Sequence, residues 1–156
     1  MKRRSFLKGA AAVTVIAAGG GVWRAWDQGV FSAGRGPAFA PWTDWRGSPG
    51  EGPLSLVRAG LLAASPHNSQ PWLFKVTENR IDLYADTARN LGTVDPFLRE
   101  MHIGLGCAVE NIFLAAPHQG YRARVTLSQG RLSPGPKSGG PSMVARIDLT
   151  ATTPEP

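Results

Sequence analysis

The spacing of hydrophobic positions changes several times between residues 54 and 150, and each change predicts a new element. Residues 54–64 have apolar side chains at helical spacing, namely Leu54, Val57, Leu61 and Leu62. This pattern ends before Pro66, because the residue preceding a proline avoids helical backbone angles. The sequence therefore predicts a first helix over residues 54–64.

A β-hairpin is predicted directly after this helix. Residues 72–76 and 81–85 alternate between apolar and polar positions, and four polar residues join them. In the second strand we expect Ile81 and Leu83 to be buried and Asp82 to be exposed, because successive side chains of a strand point to opposite faces.

A long helix is predicted over residues 97–118. Asp95 and Pro96 mark its start, since proline at the first helical position loses no hydrogen bond. Its apolar residues cover more than one face, which indicates a central helix buried on most sides. Gly104 and Gly106 would let a neighbouring segment approach this helix closely.

Two further strands complete the predicted fold. Residues 121–127 and 143–150 alternate, and a loop rich in Gly, Pro and Ser separates them at 133–142. Helices combined with mostly antiparallel strands predict an α+β fold over residues 54–150. The residues that follow, 151–156, form a tail or a truncation point.

The first 33 residues have the pattern of an export leader. Residues 2–8 contain adjacent arginines followed by Phe-Leu-Lys, the arrangement of a twin-arginine signal, and a modestly apolar run follows at 9–22. This run is shorter than the roughly 20 residues that span a bilayer. We therefore expect recognition by the twin-arginine translocase and export to the periplasm or cell envelope. Residues 34–53 are rich in Gly and Pro and predict an extended arm, which Trp42 and Trp45 would pin to a surface.

The positive charge of the chain does not favour nucleic-acid binding. The formal net charge is +6, but six Lys and Arg residues against a single Asp lie within residues 1–35, and the remainder is nearly neutral. Nucleic-acid binding needs its positive charge on the folded surface. We expect no nucleic-acid partner.

Composition offers few candidates for metal or nucleophilic chemistry. The single cysteine, Cys107, lies in the apolar run of the long helix, where a buried thiol is more common than a nucleophile. His102 and His118 have no second ligand at metal spacing, so we expect no metal site. Glu100 and Glu110 are expected to form surface ion pairs with Arg89 or Arg99 rather than to take part in chemistry.

The segment richest in polar chemistry is residues 64–72, Ala-Ser-Pro-His-Asn-Ser-Gln-Pro-Trp. Its two prolines keep it out of helix and sheet. Ser65, Asn68 and Gln70 offer donors and acceptors that suit the edge of a heteroaromatic ring, and His67 lies between them. The alternative is a loop whose Asn and Ser side chains cap the following hairpin.

This segment resembles the motif Pro-Ser-Ser-x-Asn-x-Gln-Pro-Trp of the nitroreductase superfamily. Asn68, Gln70, Pro71 and Trp72 match the motif, and Ser65 takes the place of its first serine. Ala64 and Pro66 depart from it, which removes one hydroxyl contact. Further matches are Tyr84-Ala-Asp, Arg89-Asn-Leu, Asp95-Pro96, Arg99-Glu100, Gly106 and Glu110-Asn111, which resemble the exported branch of that superfamily.

The resemblance implies an FMN-binding, nitroreductase-like fold. Ser65, His67, Asn68 and Gln70 become cofactor-binding candidates, and no residue is required as a catalytic acid or base because the flavin carries the redox chemistry. Electrons would pass from NAD(P)H through FMN to an acceptor. Such proteins hold each flavin between two halves, so a homodimer partner or a second nitroreductase-like half is expected.

Residues 54–150 are expected to be the first half of an internally duplicated protein, about half of a full member. After the leader, the sequence contains no Arg-Arg-Ser segment of the kind that binds the flavin phosphate in the superfamily. Two alternatives remain open: a protein that binds FMN without turnover, and a truncated fragment without a cofactor.

Overall fold

The computed structural model describes residues 3–31, 39–45, 51–134 and 140–155, and the chain divides into two compact units, residues 1–40 and 41–156. Among its described residues, the first unit forms helix α1 (Arg3–Asp27), and the apolar run at 9–22 lies within it. Its side chains at Val13, Val15 and Ile16 are exposed. No helix in the described ranges combines the length and apolar character needed to cross a membrane.

The second unit is an α+β fold with a four-stranded antiparallel sheet. Its elements, in chain order, are α2 (Pro41–Asp44), α3 (Leu54–Gly60), β1 (Trp72–Thr77), β2 (Arg80–Ala85), α4 (Arg99–Ala115), β3 (Tyr121–Leu127) and β4 (Ser142–Ala151). The strand order is β1-β2-β4-β3, and every neighbouring pair is antiparallel. The predicted fold class is confirmed.

The inner face of the sheet packs against α4, which in turn packs against α3. Strands β1 and β2 form the predicted hairpin, with the register running from Trp72 opposite Ala85 to Thr77 opposite Arg80. Ile81 and Leu83 are completely buried, as the alternation predicts. With Ile147 of β4 they form the part of the core that lies under α4.

Asp82 contradicts the sequence prediction, because it is buried rather than exposed. Only 2% of the residue is exposed. β2 is a central strand, and two arginines cover Asp82 on the outer face: its Oδ1 lies 2.8 Å from Nε of Arg146 and its Oδ2 lies 3.3 Å from Nε of Arg80. The hydrogen bond and the charge of Asp82 raise the pKa of Arg146 above its ordinary value. A carboxylate can be buried here because it is paired on both sides.

Helix α4 begins later than predicted, at Arg99 instead of Phe97. Leu98 has left-handed backbone angles, with φ 55°, which interrupts the helical path after Pro96. The side chain of Asp95 accepts a hydrogen bond from the Met101 amide at 3.0 Å and so satisfies one donor of the first turn. Asp95 therefore marks the helix start, as predicted, although the helix begins only at Arg99.

The prediction that α4 is buried on most sides is wrong. Its buried positions form one face, comprising Met101, Gly104, Leu105, Ala108, Ile112 and Ala115. On the opposite face Ile103 is 52%, Phe113 43% and Leu114 66% exposed, and Cys107 is half-buried. The sheet and α3 occupy one side of the helix, and within the described residues the other side is open. We call Ile103, Cys107, Phe113 and Leu114 the open face of α4.

Helix α3 is shorter than predicted and ends at Gly60. The amides of Leu62 and Ala63 bond to the carbonyls three residues earlier, which tightens and closes the last turn. An added Cβ on Gly60 would lie 3.0 Å from the Ile112 side chain, so the close packing of α3 on α4 depends on this glycine. The periodicity suggested that Leu61 would extend the buried face of this helix, but Leu61 is exposed.

The arm is described only at residues 39–45 and 51–53 of its predicted 34–53 range, and its remaining positions lie outside the described residues. Residues 41–44 form the short helical turn α2 rather than extended chain. Trp45 packs against the core cluster and holds this segment in place, whereas Trp42 is 62% exposed.

Candidate functional site

The polar segment predicted to carry chemistry forms a compact loop between α3 and β1. We call residues 65–70 the motif loop. Ser65 has an extended backbone, and Pro66–Asn68 form a single 3₁₀ turn. Pro71, which follows the loop, is completely buried, and Trp72 is 6% exposed. These two residues anchor the end of the loop in the core, while the loop itself lies at the surface.

Three of the four predicted site residues are brought together in this loop. The Gln70 amide donates to Oγ of Ser65 at 3.1 Å, and Nε2 of Gln70 donates to Oδ1 of Asn68 at 3.1 Å. Nδ2 of Asn68 and Oε1 of Gln70 make no hydrogen bond within the described residues, so one donor group and one acceptor remain available. His67 is exposed and makes no hydrogen bond there either.

The alternative role of this segment, as a cap for the hairpin, is not what the structure shows. The hydrogen bonds of Ser65 and Asn68 side chains stay within the motif loop. In the backbone, the Asn68 amide bonds to the Ser65 carbonyl at 3.0 Å and the Ser69 amide to the Pro66 carbonyl at 3.1 Å. The Ser65 and Asn68 side chains thus bond within the loop rather than to the hairpin.

The motif loop holds three non-glycine residues in the left-handed region. The φ angles are 49° for His67, 53° for Asn68 and 46° for Gln70. Such a conformation costs on the order of 1 kcal/mol or more per residue, somewhat less for asparagine, whose side chain tolerates it. A loop with this backbone keeps its shape only where surrounding contacts hold it.

Arg89 supplies one of these contacts, which the sequence analysis missed. Its Nη1 lies 3.4 Å from the carbonyl oxygens of both Ser69 and Gln70, and its Nε lies 3.2 Å from Oδ2 of Asp86. The expectation that Arg89 pairs with Glu100 or Glu110 is therefore wrong. The three-residue spacing of Asp86 and Arg89 could have indicated that these two residues pair. The hydrophobic periodicity does not indicate that the turn containing them lies beside residues 69 and 70.

Two grooves in the described part of the second unit lie away from the motif loop. One, of about 500 Å³, runs between α4 and the adjoining ends of β3 and β4, with His102 and Arg131 among its lining residues. The other, of about 420 Å³, lies between α3, α4 and the side chains of Trp42 and Trp45. Neither groove is lined by a motif-loop residue. The side chains of His67, Asn68 and Gln70 are exposed at the surface.

The remaining histidines are placed by local contacts. Nδ1 of His102 lies 2.5 Å from the Leu98 carbonyl, and the ring of His118 lies 6.4 Å from that of Trp45. The described residues contain no cluster of three or more His, Cys, Asp or Glu side chains that could hold a metal ion.

The chain is similar to known proteins over part of its length. No protein-family model matches it. Two curated proteins of Mycobacterium tuberculosis, from strains CDC 1551 and H37Rv, carry the provisional name NAD(P)H nitroreductase, and each is 28% identical to this chain over 71 residues. The match covers 46% of this chain and 21% of each relative, so it spans about a fifth of the length of these relatives.

One solved structure shows the same fold, and a second is a weaker match. A provisionally named NADH oxidase from Clostridium acetobutylicum superposes with a TM-score of 0.51 at 20% identity, covering 65% of this chain and 76% of that one. A provisionally named nitroreductase of Desulfovibrio desulfuricans, solved in complex with FMN, gives a TM-score of 0.47 at 19% identity, covering 78% of this chain and 93% of that one. The second likeness is too weak to place a ligand on this chain.

The second unit is therefore a partial domain with a nitroreductase-like α+β fold. The sequence match and this fold together support a relationship to the nitroreductase superfamily.

Proposed function

We propose that this chain supplies one wall of an FMN site in a nitroreductase-like oxidoreductase, in which electrons pass from NAD(P)H through FMN to an acceptor. The observation that carries the proposal is the motif loop, where Ser65, Asn68 and Gln70 lie together at the surface in the order of the superfamily motif. The sequence similarity to provisionally named NAD(P)H nitroreductases supports it.

The chemistry of the motif loop fits a flavin. FMN, when bound, supplies the two-electron redox chemistry, so the protein needs only to bind and orient it. Nδ2 of Asn68 is a donor and Oε1 of Gln70 an acceptor, and both are exposed and without partners among the described residues. A ring edge with alternating carbonyl and N–H groups requires this combination. His67 remains a candidate through its exposed position alone.

The open face of α4 supports a second wall supplied by another polypeptide half. Ile103, Phe113 and Leu114 expose apolar surface on one side of a helix whose other side is buried. Contiguous apolar surface of this kind favours a protein partner. The occupant that fits the proposal is a second nitroreductase-like half or a second copy of this chain.

FMN affinity tests whether this chain holds a complete site. In calorimetry we expect the 156-residue chain alone to bind FMN more weakly than micromolar. Its sequence after the leader contains no Arg-Arg-Ser phosphate clamp, and such a clamp contributes charge-assisted hydrogen bonds of about 1.5–3 kcal/mol each. Stoichiometric binding at micromolar or tighter affinity would contradict the single-wall proposal. In a complete form that binds FMN, reduction of the flavin absorption band by NAD(P)H would distinguish an oxidoreductase from a protein that only sequesters the cofactor.

We also propose, from the leader alone, that the protein is exported from the cytoplasm. Arg3 and Arg4 lie at the start of α1, in the twin-arginine pattern at the beginning of the leader. Replacing both with lysine keeps the charge but removes the guanidinium pair, so we expect the protein to remain in the cytoplasm. Cell fractionation measures this, with Arg24→Lys in the same helix as the matched control. Unchanged export in cells lacking the twin-arginine translocase would refute the pathway.

A further inference from the structure

Helix α4 touches the beginning of the motif loop at a position that only glycine can occupy without displacement. A Cβ on Gly104 would lie 3.2 Å from the Ala64 carbonyl oxygen and 3.6 Å and 3.7 Å from Cα and Cβ of Ser65. The first distance is shorter than an ordinary contact and involves backbone, so the loop would have to move by a few tenths of an ångström.

The end of the motif loop is held from the other side by the Asp86–Arg89 pair. Oδ1 of Asp86 accepts a hydrogen bond from the Ala88 amide at 3.2 Å, and its Oδ2 binds Nε of Arg89. This leaves Nη1 of Arg89 directed to the carbonyls of Ser69 and Gln70. The bond to Asp86 thereby holds the Arg89 guanidinium toward the loop.

We propose that Gly104 and the Asp86–Arg89 pair are positioning residues, which fix the motif loop in its binding shape before any ligand is present. The loop needs them because its left-handed residues, His67, Asn68 and Gln70, are individually unfavourable and the loop is exposed. A preformed loop lowers the ordering cost of binding. The identity of the ligand as FMN rests on the proposed function, whereas the positioning itself does not.

The chain provides a matched pair of glycines for the test. Gly104→Ala and Gly106→Ala both add a methyl group and helix propensity to α4, but a Cβ on Gly106 has no neighbour within 4 Å. We expect Gly104→Ala to shift the backbone amide resonances of residues 68–70 in the flavin-free chain several times more than Gly106→Ala does. Equal, parent-like loop resonances in both variants would overturn the role of Gly104.

A second variant keeps the inference testable if Gly104→Ala disturbs folding. Arg89→Ala should accelerate hydrogen exchange of the Gln70 amide several-fold, because the carbonyls around it lose their support, while Arg122→Ala on the exposed side of β3 should leave it unchanged. Unchanged exchange at Gln70 in Arg89→Ala would overturn the role of the Asp86–Arg89 pair.

The flavin experiment is separate and decides the ligand. In a complete flavin-bearing form, Gly104→Ala should weaken FMN binding at least threefold relative to Gly106→Ala, a difference of roughly 0.7 kcal/mol at 1.4 kcal/mol per decade. If the loop resonances shift and FMN affinity does not change, the positioning role stands and the proposed flavin site is wrong.

Discussion

Replacing Ile112 with alanine is expected to lower the free energy of unfolding by about 2–5 kcal/mol, the range for removing a large aliphatic side chain from a close-packed core. Ile112 is completely buried, belongs to the same core cluster as Ile81 and Ile147, and lies where Gly60 brings α3 against α4. Its loss leaves a cavity at the junction of both helices and the sheet. Denaturant unfolding of the monomeric chain measures the effect.

Leu114, two residues further along α4, is the matched control. It is also a large aliphatic residue of the same helix, but it is 66% exposed on the open face. Leu114→Ala should change the unfolding free energy by no more than about 0.5 kcal/mol in the monomer. Similar losses for both variants would mean that α4 is covered on both sides, as its apolar sequence suggested, and that the open face is wrongly assigned.

The strands could be predicted because their alternation follows directly from the two-residue period of a sheet with one buried face. Ile81 and Leu83 have this period and are buried where expected. Asp82 shows where the argument fails: alternation identifies the outer face but not what covers it. One of the two covering arginines, Arg146, is 64 residues away in sequence, and only the pairing of β2 with β4 brings it to Asp82.

The helices were less predictable, because apolar periodicity identifies a surface that can be buried without saying whether a partner is present. Ile103 and Leu114 have the apolar character of a core, and within the described residues no element packs over them. Leu98 adds a local reason, since its left-handed backbone delays the start of α4 and no propensity argument predicts this conformation for leucine.

The motif loop could be identified from residue types, but its geometry could not. The sequence indicated that Ser65, Asn68 and Gln70 form a polar loop between two prolines. The hydrogen bond between Asn68 and Gln70 depends on three left-handed residues, and these depend on contacts with Gly104 and Arg89 from elsewhere in the chain. Such contacts come from tertiary packing and leave no local pattern.

In a complete flavin-bearing form that contains this loop, Asn68→Ala is expected to weaken FMN binding more than His67→Ala. Asn68 occupies a matched motif position, and its Nδ2 makes no hydrogen bond in the described part of the chain, whereas His67 occupies the variable position. Leaving a buried partner unsatisfied costs about 1–3 kcal/mol, which corresponds to roughly 5-fold to 150-fold in affinity. Calorimetric titration with FMN measures the difference.

The backbone of the motif loop makes His67→Ala a suitable control. Both residues have left-handed angles, with φ of 49° and 53°, so alanine introduces a backbone penalty at either position, and the penalty is larger at Asn68 because asparagine tolerates this conformation. Asn68→Ala additionally removes the bond from Gln70, which could deform the loop without any flavin contact. Asn68→Asp separates these effects, because it retains the acceptor for Gln70 and the tolerance for this backbone while it loses the donor.

We expect Asn68→Asp to weaken FMN binding nearly as much as Asn68→Ala, with melting temperatures of the flavin-free forms close to that of the parent. This pattern would assign the loss to the replaced Nδ2 amide group, through the lost donor and the added negative charge, rather than to the shape of the loop. If both Asn68 variants bind FMN within about twofold of the parent while His67→Ala loses it, the assignment of the superfamily motif to this loop is wrong at Asn68. In that case the exposed imidazole is the group that the ligand contacts.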